Sequence, residues 1–205
     1  MPKGSEELTS ARREEIVDAC AGLYRTMGFK DITVKQIGSA TSFSRTSIYN
    51  YFETKEEIFL ALLQREYEHW TAELNAAADR QPLSRDELAQ ALAASLEKRA
   101  VMLKLMAMNL YDIECCCRME RLVEFKAVYG GSIDAVGRCL DACARRPSEA
   151  EKQEFITLFF PFVYGIYPYT AATDKQREAM RRAGVCCRMR SIYEIALAGA
   201  EKLLP

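Results

Sequence analysis

The chain has 205 residues, 49% of them apolar and 28% charged, with a formal net charge of -1. That balance supplies a sizeable core for one or two domains and excludes a disordered chain beyond the first few residues. Eight cysteines with no leading apolar run exclude a secreted disulfide scaffold and place the expected location in the cytoplasm; the near-zero charge gives no overall electrostatic footprint for nucleic acid.

Ile16, Cys20, Leu23, Tyr24 and Met27 recur at helical spacing and predict a first helix over 10–27, closed by Gly28. Thr33 followed by Gln36 is a capping box, so a short helix starts at Val34 and ends near Thr41, where Ser42 breaks the pattern. Ser44 caps another helix, whose Ile48 and Phe52 lie four apart on one face and whose remaining positions are Arg45, Thr46, Ser47, Tyr49, Asn50 and Tyr51. Thr54 and Glu57 form a further box opening a long helix over 55–78, with Ile58, Phe59, Leu62, Leu63, Tyr67, Trp70 and Leu74 on its apolar face.

Two short helices across a tight turn, followed by a third helix start, are the grammar of a helix-turn-helix. In that reading Arg45 and Asn50 carry the forked groups that read base edges. Thr33, Ser44, Thr46, Ser47 and the Tyr49 and Tyr51 hydroxyls suit phosphates, and Lys55 stands beside free N–H groups at a helix start. Between residues 25 and 55 the balance is locally basic, with Arg25, Lys30, Lys35, Arg45 and Lys55 against Asp31 and Glu53.

These residues carry a resemblance. Gly28-Phe29, Ile32-Thr33-Val34, the run from Ser44 to Phe52 and Thr54-Lys55-Glu56-Glu57 make residues 10–57 similar to the N-terminal domain of the TetR family of bacterial transcriptional regulators. Ser42 stands where that family usually has Gly, which predicts a non-glycine residue at positive φ in the turn. The resemblance implies a DNA-binding domain over 1–56 and a helical effector-binding and dimerisation domain over 57–205.

Beyond the break at Gln81-Pro82-Leu83, Ser84 and Glu87 box a helix bearing Leu88, Leu92 and Leu96. An apolar helix over 101–110, rich in methionine, leads to Cys115-Cys116-Cys117, and a longer helix follows over 120–144. Ser148 and Glu151 box the next. Its uncharged continuation through 173 has the length of a membrane span but contains Pro161, Gly165 and Pro168, and is read as a buried, kinked helix with its exit loop. Asp174 opens a charged helix that Gly184 interrupts, and Ile192, Ile195, Ala196 and Leu203 finish the chain. No strand pattern survives, so the fold class is all-α, with about nine helices.

The resemblance further implies a homodimer on a palindromic operator, joined through 148–169 and 174–203, with Phe155, Leu158, Phe159, Phe162 and Ile166 as the apolar face. It also implies a small-molecule effector among the middle helices, where Met102, Met106, Asn109, Tyr129, Phe160 and Tyr164 are the candidates, and where Pro161 frees the Thr157 carbonyl toward a cavity. The resulting expectation is a ligand-responsive transcriptional regulator, in that family most often a repressor. A thiol-based redox or metal sensor using Cys115, Cys116 and Cys117, with Cys139, Cys143, Cys186 or Cys187 as partners, is the rival. A thiol enzyme with His69 as base is weaker still. No Cys-x-x-Cys, Gly-rich phosphate loop or Gly-x-Ser-x-Gly occurs, so no cofactor, no metal and no enzymatic activity are expected.

Overall fold

A computed structural model describes residues 3–80, 82–108, 110–185 and 189–205. Among the described residues eleven α-helices follow one another: α1 Lys3–Thr26, α2 Val34–Ser39, α3 Arg45–Ile48, α4 Lys55–Ala78, α5 Arg85–Glu97, α6 Ala100–Met106, α7 Leu110–Glu114, α8 Met119–Asp141, α9 Glu149–Ile166, α10 Asp174–Arg182 and α11 Ile192–Leu203. A 3-10 turn, Tyr167–Tyr169, extends α9. Among the described residues there is no strand; Leu83 and Cys143 meet in an isolated parallel bridge. The all-α class stands. The helix number rises from the expected nine because the apolar stretch 101–110 stops at Met106, the cysteines occupy a turn, and Gly184, at φ +67, separates α10 from α11.

The boxes predicted at Thr33, Ser84 and Ser148 are all formed, and two more close at Thr173 with Gln176 and Ser191 with Glu194. The first helix starts earlier than its apolar spacing indicates, because polar residues of good helix propensity carry the backbone further than the buried face does.

The chain forms two compact units, and their boundary is not a single cut after residue 56. One unit comprises Met1–Glu66 with Asn109–Tyr129; the other comprises Tyr67–Met108 with Gly130–Pro205. In the first, Ile16, Cys20 and Tyr24 of α1, Ile37 of α2, Ile48 and Phe52 around α3, and Ile58, Phe59 and Leu62 of α4 are buried. The Phe59 ring takes edge contacts from Tyr24 and Phe29, with centroids 5.2 and 4.8 Å away.

In the second unit, Trp70 and Leu74 of α4 are buried together with Leu88, Leu92 and Leu96 of α5, Met102 and Met106 of α6, and Val136 and Leu140 of α8. Phe155, Phe159, Phe160 and Val163 of α9 and Ala196 and Ala200 of α11 are buried there too. The indole N–H of Trp70 donates to Ser95 Oγ at 3.0 Å, which passes a bond to the Leu92 carbonyl, so these two buried side chains are satisfied. Arg85 donates to the carbonyls of Glu201 and Leu204, placing a cation on the negative end of α11. Gly199 is where α11 meets α9: a Cβ there would lie 2.1 Å from the Phe162 ring.

The helix expected as a kinked, buried element is α9, with Pro161 inside it. Among the described residues no single helix is long and apolar enough to cross a membrane, and the segment Glu149–Tyr169 meets α10 at a bend of 85°.

Candidate nucleic-acid interface

Ile48 and Phe52 are only 0% and 1% exposed, and their burial fixes which side of α3 faces outward. That outward side carries Thr46, Tyr49 and Asn50, all exposed, with Ser47 and Tyr51 half-buried beside them. The side chain of Arg45 lies outside those described. Regular α-helix covers only Arg45–Ile48, after which N–H bonds from Asn50 to Ser47 and from Tyr51 to Ile48 tighten the chain into a turn.

Ser44 occupies the N-cap with extended backbone, yet its side chain caps no N–H. Its hydroxyl instead lies 3.0 Å from Ser47 Oγ and 3.3 Å from Thr46 Oγ1, a surface cluster of three hydroxyls. Thr33 is exposed and commits its hydroxyl to the box with Gln36. Tyr51 takes a bond from Arg12 Nη1 at 3.4 Å, and the Arg12 guanidinium also lies over the Phe43 ring.

Two expectations are corrected here. The α2–α3 turn does not need positive φ, since no described non-glycine residue has it. Glu15 of α1 reaches across instead: its carboxylate accepts from the Ser42 N–H and, at 3.0 Å, from the Ser42 hydroxyl. Lys55 is not held out beside the helix start. Its ammonium donates to the Phe29 carbonyl at 2.9 Å and sits 4.1 Å from the centre of that ring, so it fastens α4 to the loop after α1.

The box at Thr54 is only half made. Thr54 Oγ1 accepts from the Glu57 N–H at 3.1 Å, but the Glu57 carboxylate accepts from the Glu53 N–H at 2.9 Å and from Arg118. Arg118 donates to it through its backbone N–H at 3.2 Å and through Nε and Nη2, each at 2.7 Å; Nη1 lies 3.2 Å from Glu53. Burial by itself would raise the Glu57 carboxyl; the bonds from Arg118 and from the Glu53 N–H override it and hold the group down at about 2. Thr54 also donates to the Cys116 carbonyl at 3.2 Å. The start of α4, which follows the α3 segment, is therefore tied to residues 116–118.

Glu15, Arg12 and Arg118 were absent from the sequence reading. Glu15 and Arg12 occupy ordinary polar positions on α1, and no sequence spacing links them to a turn roughly 30 residues away. Glu15→Ala is expected to cost about 1 kcal/mol of stability, the worth of a turn bond, and to weaken DNA binding. Thermal melting beside a DNA titration checks this, and an unchanged affinity would remove Glu15 from the site.

The effector candidates do not gather around a described cavity. Met102, Met106 and Phe160 are core residues, with Phe160 set edge-on to Trp70 at 6.0 Å. Tyr164 shares a hydroxyl contact of 3.4 Å with Tyr67. Tyr129 belongs to the first unit and is half-buried, its phenol pushed upward by desolvation. Asn109 lies outside the described residues. An open apolar groove of about 940 Å³ lies elsewhere, bordered by Phe162, Tyr169, Met180, Met189 and Ile195. Thr157 is exposed on α9, and its hydroxyl donates to the Gln153 carbonyl at 2.7 Å.

The cysteines divide. Cys20 and Cys139 are buried, and Cys139 donates to the Leu74 carbonyl at 3.2 Å; burial pushes these thiols up, to about 12 and about 11. Cys139 and Cys143 are free, with Cys143 Sγ toward the Cys139 carbonyl. Cys115, Cys116 and Cys117 lie in the turn after α7, not on a helix. Cys186 and Cys187 lie outside the described residues. Among the described residues no three His, Cys, Asp or Glu side chains are grouped to hold a metal, and His69 is exposed.

Residues 16–62 match the model for bacterial regulatory proteins of the tetR family, and residues 64–189 match that for a tetracyclin repressor-like C-terminal domain. The chain belongs to the TetR family. A relative, the HTH-type transcriptional repressor Rv1474c of Mycobacterium tuberculosis, is 34% identical over 72 residues, covering 35% of this chain and 38% of its own length. The HTH-type transcriptional repressor AcnR of Corynebacterium diphtheriae is 34% identical over 66 residues, 32% of this chain and 35% of its own. The match thus spans well under half of these relatives. The fold extends further: FadR of Bacillus subtilis, solved in complex with stearoyl-CoA, superposes over 93% of this chain and 97% of its own with TM-score 0.60 and 12% identity. PfmR of Thermus thermophilus does so over 92% and 96%, with TM-score 0.58 and 17% identity. The curated relatives carry the names of transcriptional regulators, and none that of an enzyme.

Proposed function

We propose that this TetR-family protein is a ligand-responsive transcriptional repressor that binds a palindromic operator as a homodimer. The observation that carries the reading is the outward display of Thr46, Tyr49 and Asn50 while Ile48 and Phe52 anchor the same segment in the core. A single short helix contacts few base pairs, so affinity requires two copies on two half-sites. In this reading Arg45 and Asn50 meet base edges; Ser44, Thr46, Ser47 and Tyr49 meet phosphates, with Tyr51 steadied by Arg12. Lys55 positions α4, and Thr33 serves as its helix's cap. Repression is supported by the names of two relatives.

The dimer face proposed is the outer side of α9 with α11. Of the residues expected there, Phe155, Phe159 and Ile166 fill their own chain's core, which leaves Leu158 and Phe162, joined by exposed Pro161, Gly165 and Tyr169. Leu158 is 48% exposed and Tyr169 70%, a large apolar surface for a monomer to leave in water. The effector would be bound within the second unit, which holds most of the residues that match the tetracyclin repressor-like C-terminal domain. Because Met102, Met106 and Phe160 are packed, their side chains would have to part around an apolar ligand, with the Tyr67 and Tyr164 hydroxyls as its polar contacts. Acting on chromosomal DNA implies the cytoplasm.

Selection of bound duplexes from a random pool tests the reading: a two-fold symmetric consensus is expected, and a chain that enriches none is not an operator-binding protein. On that consensus, Arg45→Ala and Asn50→Ala should each relax discrimination at one base pair per half-site by about 1 to 3 kcal/mol. Parent-like preference in both variants would withdraw these assignments.

A further inference from the structure

Cys115 and Cys116 are the described thiols that face solvent, and their sulfurs lie 3.8 Å apart. Cys117 differs: it is half-buried and directs Sγ to the Ile113 carbonyl at 3.2 Å. The pair stands in the same turn whose Cys116 carbonyl accepts from Thr54 and whose next side chain but one, Arg118, clamps the buried Glu57. Whatever seizes the two sulfurs pulls on the start of α4, a few residues beyond the reading segment.

Four kinds of chemistry act on paired thiols. A disulfide between neighbouring residues is disfavoured, because sequential Cα atoms are closer than an unstrained bridge allows. Peroxide attack needs a thiolate. Here the Cys115 contact, burial and the nearby Glu56 and Asp112 all push the Cys116 thiol upward, and desolvation with Glu57 and Glu56 pushes Cys117 to about 12. A hard divalent cation lacks a third ligand in the described cluster. A soft trivalent metalloid hydroxide suits what is present, since it takes soft sulfur ligands, approaches uncharged, and bridges two adjacent sulfurs without any bond between them.

We propose that Cys115 and Cys116 form a dithiol site for trivalent arsenic or antimony compounds, and that occupancy loosens the Thr54–Cys116 and Glu57–Arg118 bonds. Two metalloid–oxygen bonds break and two metalloid–sulfur bonds form. Each thiol proton leaves on a hydroxide as water, and nothing is oxidised or reduced. The drawn-in sulfurs reorient the turn and move the Cys116 carbonyl away from Thr54. Consequences for operator binding rest on the proposed function; binding at the site does not.

The full-length chain carrying Cys186→Ser and Cys187→Ser, which removes the other adjacent pair, is titrated with phenylarsine oxide under native mass spectrometry. One adduct with loss of two titratable thiols is expected, and it disappears when Cys115→Ser and Cys116→Ser are added. Either single serine should weaken retention by roughly 100-fold, the advantage that linked donors lose. No adduct, an adduct undiminished by the double serine, or faster disulfide formation with hydrogen peroxide would overturn the site. Amide exchange over 54–58 should accelerate about fivefold on binding, as one hydrogen bond is lost; unchanged exchange would overturn the coupling while leaving the site. Release from DNA is read separately, so a chain that binds no operator defeats only the regulatory reading.

Discussion

Arg118→Ala should destabilise the first unit by about 2 to 3 kcal/mol and raise its acid-unfolding midpoint. Glu57 has a fully buried carboxylate, and Arg118 supplies three of its four bonds, one through the backbone N–H that the substitution leaves in place. Removing the guanidinium strands a buried charge, normally a loss of about 3 to 5 kcal/mol; Arg118 is itself 37% exposed, so water entering the vacated space reduces the effect. The sign of the pH dependence follows from the Glu57 carboxyl being held at about 2 against an ordinary 4.5. Its contribution is fully present above 4.5 and is lost as pH falls toward 2. Without Arg118, burial acts alone and raises the carboxyl, so protonation and loosening begin at higher pH. Urea unfolding at pH 7 together with an acid titration of parent and variant measures both, and coincident curves would show that the clamp carries no stability. Glu57→Gln provides the control, since it should flatten the dependence between pH 4.5 and 2.

A larger functional effect is expected from the outer face of α9. Leu158→Glu combined with Phe162→Glu should give a monomer whose operator affinity falls by roughly 1,000-fold, from the range of specific two-site binding toward that of non-specific contact. Two carboxylates facing their symmetry mates across an apolar seam repel each other and lose hydration, whereas in a monomer both remain in water. Leu158 leaves the core undisturbed because it is already half exposed. Phe162 lies over Gly199, so Leu158→Glu alone serves as the variant that spares the packing of α11. Sedimentation reports the association state, circular dichroism the fold, and titration with the selected duplex the affinity. A folded dimer that binds normally would move the interface elsewhere.

Helix identity was legible because its causes are local. Boxes such as Thr33 with Gln36 satisfy N–H groups within one turn, and apolar residues four apart mark a buried face whatever it is buried against. The outward set of α3 was legible for the same reason, since burying Ile48 and Phe52 leaves the other positions outside. Lys55 and Ser42 misled because their partners, Phe29 and Glu15, are remote in sequence. For the effector candidates the sequence left two roles open: Met102, Met106 and Phe160 have the chemistry of a cavity lining, and the same chemistry fills the core in which they are buried.

The sequence by itself determined an all-helical chain, the helix-turn-helix and the side of it that faces outward, each set by interactions spanning a turn or two. Only the tertiary structure decided that residues 109–129 belong with the N-terminal unit, that Glu57 answers to Arg118 rather than completing its own cap, and which aromatic residues of α9 are core and which are surface. Those outcomes depend on contacts between segments tens of residues apart, which local spacing does not encode.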